Sequence, residues 1–199
     1  MAADPTIDAL ADAKAALGTT VSVCLPARNE ESTVGQIVAT VRRTLVQEVP
    51  LVDEVVVMDD GSTDATAAAA AYDGARVVTV ADVLPGVPAG TGKGNALWLS
   101  LYSCTGDVVC WVDADIRNFA PHFVTRLLAP LLTQPSIGFV KGFYRRPLYD
   151  KVTGGGRVTE LLARPVNSAR CGNSAEITGR PMSSVTRPPP VTSPCRGRR

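Results

Sequence analysis

Histidine is almost missing from this chain, with His122 the single example in 199 residues. It stands beside Pro121 at the expected start of a helix, where solvation accounts for it, and no ligating or catalytic role is assigned to it. Charge of one sign is missing as well: 20 Lys and Arg against 19 Asp and Glu give a net +1. That balance excludes nucleic acid and the membrane surface as partners suggested by overall charge. No apolar run approaches the roughly 20 residues of a membrane span, and the N-terminus lacks a basic region followed by an apolar core. A soluble, unexported protein with no membrane insertion is expected. The five cysteines form no Cys-x-x-Cys pair. Cys24 and Cys110 fall inside expected strands, where a reduced thiol packs as a small apolar residue, so a reducing, cytoplasmic setting is expected.

Two nucleotide-binding signatures are also absent. The loop after the first expected strand, Pro26 to Glu31, contains no glycine, which excludes a dinucleotide fingerprint. Around Lys93 a Walker loop would need Gly where Val87 stands and Ser or Thr where Gly94 stands, so the match fails twice.

What is present is a rhythm. A short helix from about Pro5 to Leu17, stopped by Gly18, leads to the buried strand Val21 to Leu25. A helix with Val34, Ile37, Val38, Val41 and Leu45 on one face follows. The strand Glu54 to Met58 precedes an alanine-rich helix reaching about Tyr72, and the strand Ala75 to Val80 precedes a Pro/Gly loop and a helix carrying Ala96, Leu97, Trp98 and Leu101. The apolar stretch Asp107 to Val112, a helix from Pro121 to about Thr133 and a strand from Ile137 to Tyr144 complete the series. Alternation of this kind predicts an α/β fold, a mostly parallel sheet with helices on both faces. In such sheets ligands lie outside the carboxyl ends of the strands.

Four polar clusters follow strands and therefore converge on that rim: Pro26 to Glu31, Asp59 to Asp64, Gly92 to Gly94, and Asp113 to Asp115. Asp113-Ala114-Asp115 can supply oxygen ligands to Mg²⁺ or Mn²⁺ and leave positions for phosphate oxygens. An acidic pair at a strand end also reads as a solvated turn, and Lys93 as a solvated loop lysine. Ser62, Thr63 and Asp64 can cap the following helix, whereas Asp59 and Asp60 arrive before the turn with no helix to serve.

Together PARNEE, DDGSTD, GKGNAL and VDAD resemble a GT-A nucleotide-sugar glycosyltransferase. Phe143-Tyr144-Arg145-Arg146-Pro147 and Gly154-Gly155-Gly156-Arg157-Val158-Thr159-Glu160-Leu161 narrow the resemblance to the actinobacterial glucosyl-3-phosphoglycerate synthases, over roughly residues 6 to 165. It implies a GT-A fold and a retaining transfer of glucose from UDP-glucose to the 2-hydroxyl of 3-phosphoglycerate, a step that starts methylglucose lipopolysaccharide synthesis. It also implies that Pro26, Ala27 and Glu30 hold the uridine, with Ser62 near the base. Lys93 would serve the diphosphate, Asp113 the donor and metal, and Asp115 would ligate Mg²⁺ or Mn²⁺ directly, Lys93 and Asp115 being the catalytic pair. Gly156, Arg157, Val158 and Thr159 would receive the acceptor's phosphate and carboxylate, in keeping with anion binding by glycine-rich helix starts and bidentate arginine. The same glycine run also reads as a plain linker. A UDP-sugar-binding remnant without turnover and a GT-A enzyme with another acceptor stay open. A sugar nucleotidyltransferase would place a Gly-rich, Arg-containing loop where this chain has PARNEE.

After about Pro165 the resemblance stops. Val166 to Arg199 holds six arginines against the single acid Glu176, with Pro188-Pro189-Pro190, no apolar periodicity and no interleaved aromatics. The expectation is a GT-A domain over 1–165 and a disordered basic tail over 166–199, of the kind a truncation or frame disruption produces. Family members place a metal-binding histidine, acceptor contacts and a homodimer interface in the region unrecognisable here.

Overall fold

The computed structural model describes residues 5–86, 90, 92–143, 174–178 and 184–186. Helix α1 (Ile7–Leu17) starts where the Thr6 hydroxyl accepts the Ala9 N–H and stops at Gly18, whose φ of 60° is the left-handed cap that glycine adopts without strain. Strand β1 (Val21–Ala27) then enters the core, followed by α2 (Val34–Val41), β2 (Glu54–Asp59), α3 (Thr66–Tyr72), β3 (Arg76–Thr79), α4 (Lys93–Ser103), β4 (Val108–Trp111), α5 (His122–Thr133) and β5 (Phe139–Phe143).

The sheet order is β3-β2-β1-β4-β7-β5-β6. β1 runs parallel to β2 and β4, and β2 parallel to β3, with Ala27 opposite Asp59 and Val21 opposite Val108. The carboxyl ends of β1, β2 and β4 therefore share one edge. Period-2 alternation sorts the side chains. Val21, Val23, Leu25, Val55, Val57, Val108 and Cys110 meet α1, α2 and α5 on one face, while Cys24, Val56, Met58 and Val109 meet Ala96 and Leu99 of α4 on the other. Helices on both faces of a mostly parallel sheet are thus found as expected.

One difference has a local cause. The apolar spacing from Val34 to Leu45 predicts one α-helix, but Arg42–Glu48 winds as a π-helix. The Thr40 and Thr44 hydroxyls donate to the carbonyls of Gln36 and Thr40, each at 2.7 Å, and such back-bonding loosens the i→i−4 ladder. Within 166–199 the described residues are two short strands, β6 (Ser174–Thr178) and β7 (Ser184–Thr186), β7 lying antiparallel between β4 and β5. The rest of that segment lies outside the described residues.

Candidate active site

The rim is built by the strands and locked by loop-to-loop bonds. Beyond Ala27 and Asp59, the Asp60 N–H donates to the Ala27 carbonyl at 3.0 Å, keeping the first two loops side by side. On the other flank the Val112 N–H donates to Cys24 O at 2.9 Å. The buried Thr33 hydroxyl, just before α2, donates to Ala114 O at 2.6 Å. This last bond holds the centre of the Asp113-Ala114-Asp115 turn against the start of α2. Helix α4 begins at Lys93 after Gly92, whose φ of 92° is left-handed and which brings no side chain to cap the first turn. The first-turn amides and the Lys93 ammonium together favour an anion there.

These pieces enclose an open cleft of about 240 Å³. Pro26, Ala27, Arg28, Glu30 and Asp60 line it from the end of β1 and the loops after β1 and β2, and Gly92, Lys93, Ala96, Asp113, Ala114 and Asp115 from the start of α4 and the turn after β4. That volume is below the roughly 300–1,000 Å³ of a complete small-molecule pocket. Lys93 Nζ is ion-paired to Asp113 Oδ1. Arg28 lies 3.8 Å from the Asp60 carboxylate, which also accepts the Gly92 N–H at 3.3 Å. Burial pushes the Asp113 carboxyl up, with Lys93 pulling it back and Asp115 adding to the rise. Burial, then the charges of Asp115 and Asp64, likewise raises Glu30.

Of the residues expected at the site, Pro26, Ala27, Glu30, Lys93, Asp113 and Asp115 are brought together on this cleft. Ser62 is not among its lining residues; its hydroxyl accepts the Asn29 N–H at 3.0 Å. Gly156, Arg157, Val158 and Thr159 lie outside the described residues. None of Ser62, Thr63 and Asp64 is the cap residue of α3, which is Ala65; Asp64 Oδ1, one residue earlier, accepts from the Thr66 N–H and hydroxyl, and Glu31 takes the Ala65 N–H from the neighbouring loop. Arg28, Thr33 and Asp60 join the site beyond the expected set. Asp60 had a signal in the sequence, as an acid placed before the turn with no helix to cap, whereas Thr33 gave none.

The donor set suits a hard divalent cation. Asp113 and Asp115 offer carboxylate oxygens in one cleft, where burial first and neighbouring carboxylates second push Asp113 and Glu30 up, and Lys93 offsets part of the charge at Asp113. Among the described residues no three His, Cys, Asp or Glu side chains gather as a closed metal cage. A cation held by this pair would keep open positions for phosphate oxygens, as Mg²⁺ and Mn²⁺ sites in phosphate enzymes do.

A parallel sheet whose strand order reverses between β1 and β4, with an acidic pair and a lysine-bearing helix start at that crevice, defines a GT-A domain, the architecture of nucleotide-sugar glycosyltransferases. The sequence profile of Glycosyl transferase family 2 matches residues 22–152, and the chain belongs to that family. It is 51% identical over 162 residues to a glucosyl-3-phosphoglycerate synthase of Mycolicibacterium smegmatis, a match covering 79% of this chain and 52% of the relative. To the enzyme of that name from Petrotoga mobilis it is 46% identical, over 74% of this chain and 47% of the relative. Among solved structures it resembles the glucosyl-3-phosphoglycerate synthase of Mycobacterium tuberculosis in complex with Mn²⁺, UDP-glucose and phosphoglyceric acid. That match has a TM-score of 0.73 at 43% identity, over 94% of this chain and 63% of the other. A mannosyl-3-phosphoglycerate synthase from Rubrobacter xylanophilus matches with a TM-score of 0.75 at 36% identity, over 92% of this chain and 58% of the other. The chain spans about half the length of the curated relatives it matches.

Proposed function

We propose that this chain carries the donor half of a retaining glucosyltransferase that moves glucose from UDP-glucose to the 2-hydroxyl of 3-phosphoglycerate. The observation that carries the reading is the single cleft shared by Glu30, Lys93, Asp113 and Asp115 at the strand ends of a family 2 domain. In it, Pro26, Ala27 and Glu30 hold the uridine and Ser62 stands near the base. Lys93 turns from Asp113 towards the diphosphate and offsets the charge that builds as the sugar bond breaks. Asp115, with Asp113 beside it, holds Mg²⁺ or Mn²⁺, which when bound supplies Lewis-acid neutralisation of the departing diphosphate. No strong side-chain base is required for that step. Gly156, Arg157, Val158 and Thr159 take the acceptor's phosphate and carboxylate. The donor-binding domain is residues 1–165, to which the strand pieces of 166–199 add. Among the described residues no helix is long and apolar enough to cross a membrane, and the buried free thiols Cys24 and Cys110 suit the cytoplasm, the compartment proposed.

Calorimetry of UDP binding with Mn²⁺ tests the donor site. Affinity falls when EDTA is added, and Asp115→Ala reproduces the loss; binding indifferent to metal would sink the reading. Residues 1–199 on their own are proposed to bind UDP and metal while transferring glucose to 3-phosphoglycerate very slowly. A second reading, a mannosyl donor, draws on the Rubrobacter relative, and turnover with either sugar nucleotide on one preparation separates the two.

A further inference from the structure

The loops after β1 and β2 both line the cleft and are bonded to each other behind it. Three consecutive amides of the first loop are committed across to the second. The Asn29 N–H donates to Ser62 Oγ at 3.0 Å, the Glu30 N–H to Thr66 Oγ1 at 2.7 Å, and the Glu31 N–H to Asp64 Oδ2 at 3.3 Å. The second loop answers twice. The Thr63 N–H donates to Asn29 Oδ1 at 2.8 Å, with the Thr63 hydroxyl at 3.3 Å from the same oxygen, and the Ala65 N–H donates to Glu31 Oε2 at 2.9 Å. Asn29 and Glu31 each give and receive in this exchange, and Asn29 does so from an unusual backbone. It has a φ of 58°, the one left-handed non-glycine residue among the described residues. Asparagine tolerates that conformation better than other side-chain-bearing residues, and its amide oxygen can be returned to nearby backbone donors.

The left-handed turn at Asn29 is what lets Pro26, Ala27, Arg28 and Glu30 face the cleft while residue 29 faces the other loop. We propose that Asn29 is a positioning residue for the nucleotide: its side chain clasps the two loops and thereby sets the uridine wall without touching the ligand. Ser62 acts in the same clasp, through the hydroxyl that accepts the Asn29 amide. This rests on the donor-site reading above, but the clasp itself has a readout that needs no ligand.

The test uses the full 199-residue chain, the variants Asn29→Gly and Asn29→Asp, UDP with Mn²⁺ in calorimetry at 0.15 M salt, and amide exchange at Thr63. Glycine keeps the left-handed backbone and loses the acceptor; aspartate keeps an acceptor oxygen and tolerates the turn. The expectation for Asn29→Gly is UDP binding about five- to tenfold weaker, the range one lost hydrogen bond produces, and faster exchange at Thr63 with the rest of the sheet protected as before. Asn29→Asp should restore both to within about threefold, as an acceptor oxygen still meets the Thr63 donors. Wild-type affinity in Asn29→Gly would overturn the proposal, because the backbone turn alone would then suffice. Weaker binding with protection lost across the whole sheet would also overturn it, by marking a general loss of fold. If the unsubstituted chain binds no UDP while Thr63 exchange still depends on Asn29, the clasp stands and the donor reading falls.

Discussion

Replacing Glu54 by glutamine should remove a support at the end of the sheet opposite the cleft. The Glu54 carboxylate accepts from the Ser22 hydroxyl at 2.5 Å, the Thr105 N–H at 2.5 Å, the Thr105 hydroxyl at 3.0 Å and Arg76 Nη2 at 2.9 Å. Ser22 is fully buried and in turn accepts the Gly106 N–H at 2.8 Å, so this one side chain ties β1, β2, β3 and the entry to β4 together. Burial alone would raise the carboxyl, but Arg76, Ser22 and Thr105 outweigh it and lower it from 4.5 to about 2. At about 1.4 kcal/mol for each pH unit that is roughly 3 kcal/mol. Because the Arg76 side chain is 46% exposed, solvent screening cuts the expectation to about 2 kcal/mol. The folded carboxyl titrates below the unfolded one, so its contribution is complete above about pH 4.5 and is lost as pH falls towards 2. Urea unfolding of wild type and Glu54→Gln should therefore differ by about 2 kcal/mol at pH 7, with the gap narrowing through pH 4 and 3. A gap of equal size at pH 3 and pH 7, or none at pH 7, would refute the reasoning.

Gly106→Ala should destabilise by about 2–3 kcal/mol in the same urea assay, because a Cβ there would lie 2.6 Å from the backbone nitrogen of Ser22 and 2.5 Å from its hydroxyl. Lys14→Met should cost about 1–3 kcal/mol, since Lys14 is largely buried and Nζ bonds Asp53 at 2.7 Å and Pro50 O at 3.1 Å. The loss should track thermal unfolding and leave UDP affinity at 25 °C unchanged. In a full-length relative carrying the same glycine-arginine loop, Arg157→Lys should raise the KM for 3-phosphoglycerate well above any change for UDP-glucose, because lysine keeps the charge without the planar fork. Equal loss for both substrates would refute that assignment.

The strands and helices were legible because burial on both faces writes itself locally: Val21 to Leu25 and Glu54 to Met58 are apolar runs, and α2 repeats apolar residues at helical spacing. The rim followed from topology, since polar clusters after parallel strands must share an edge. What escaped was pairwise. Lys14 reads as a polar break in the stripe of α1 because its partner Asp53 is 39 residues away. Thr33 has a conventional place before a helix, and nothing near it in sequence announces Ala114. Ser62 sits in a cluster of helix-capping residues, yet its hydroxyl is taken by an amide from another loop. Hydrogen bonds between loops depend on which strands are neighbours and by how many residues they are offset, and neither is a local property.

The position of β4 has a consequence for how the chain is made. β4 lies against β1, yet Val21 and its partner Val108 are separated by 108 − 21 = 87 residues. On a ribosome adding roughly 5–20 residues per second, β1, β2 and β3 can pair as they emerge, but one flank of β1 waits about 4–17 s for β4. For that interval the flank of β1 from Val21 to Cys24 stays an open strand edge in the crowded surroundings of the nascent chain. The acidic pair that finishes the cleft arrives with the strand that closes this edge, so an unfinished polypeptide can display the loops of β1 and β2 before it has a site for a charged ligand. Slow codons between α3 and β4 would lengthen that exposure, and chaperone capture of the nascent chain should peak there.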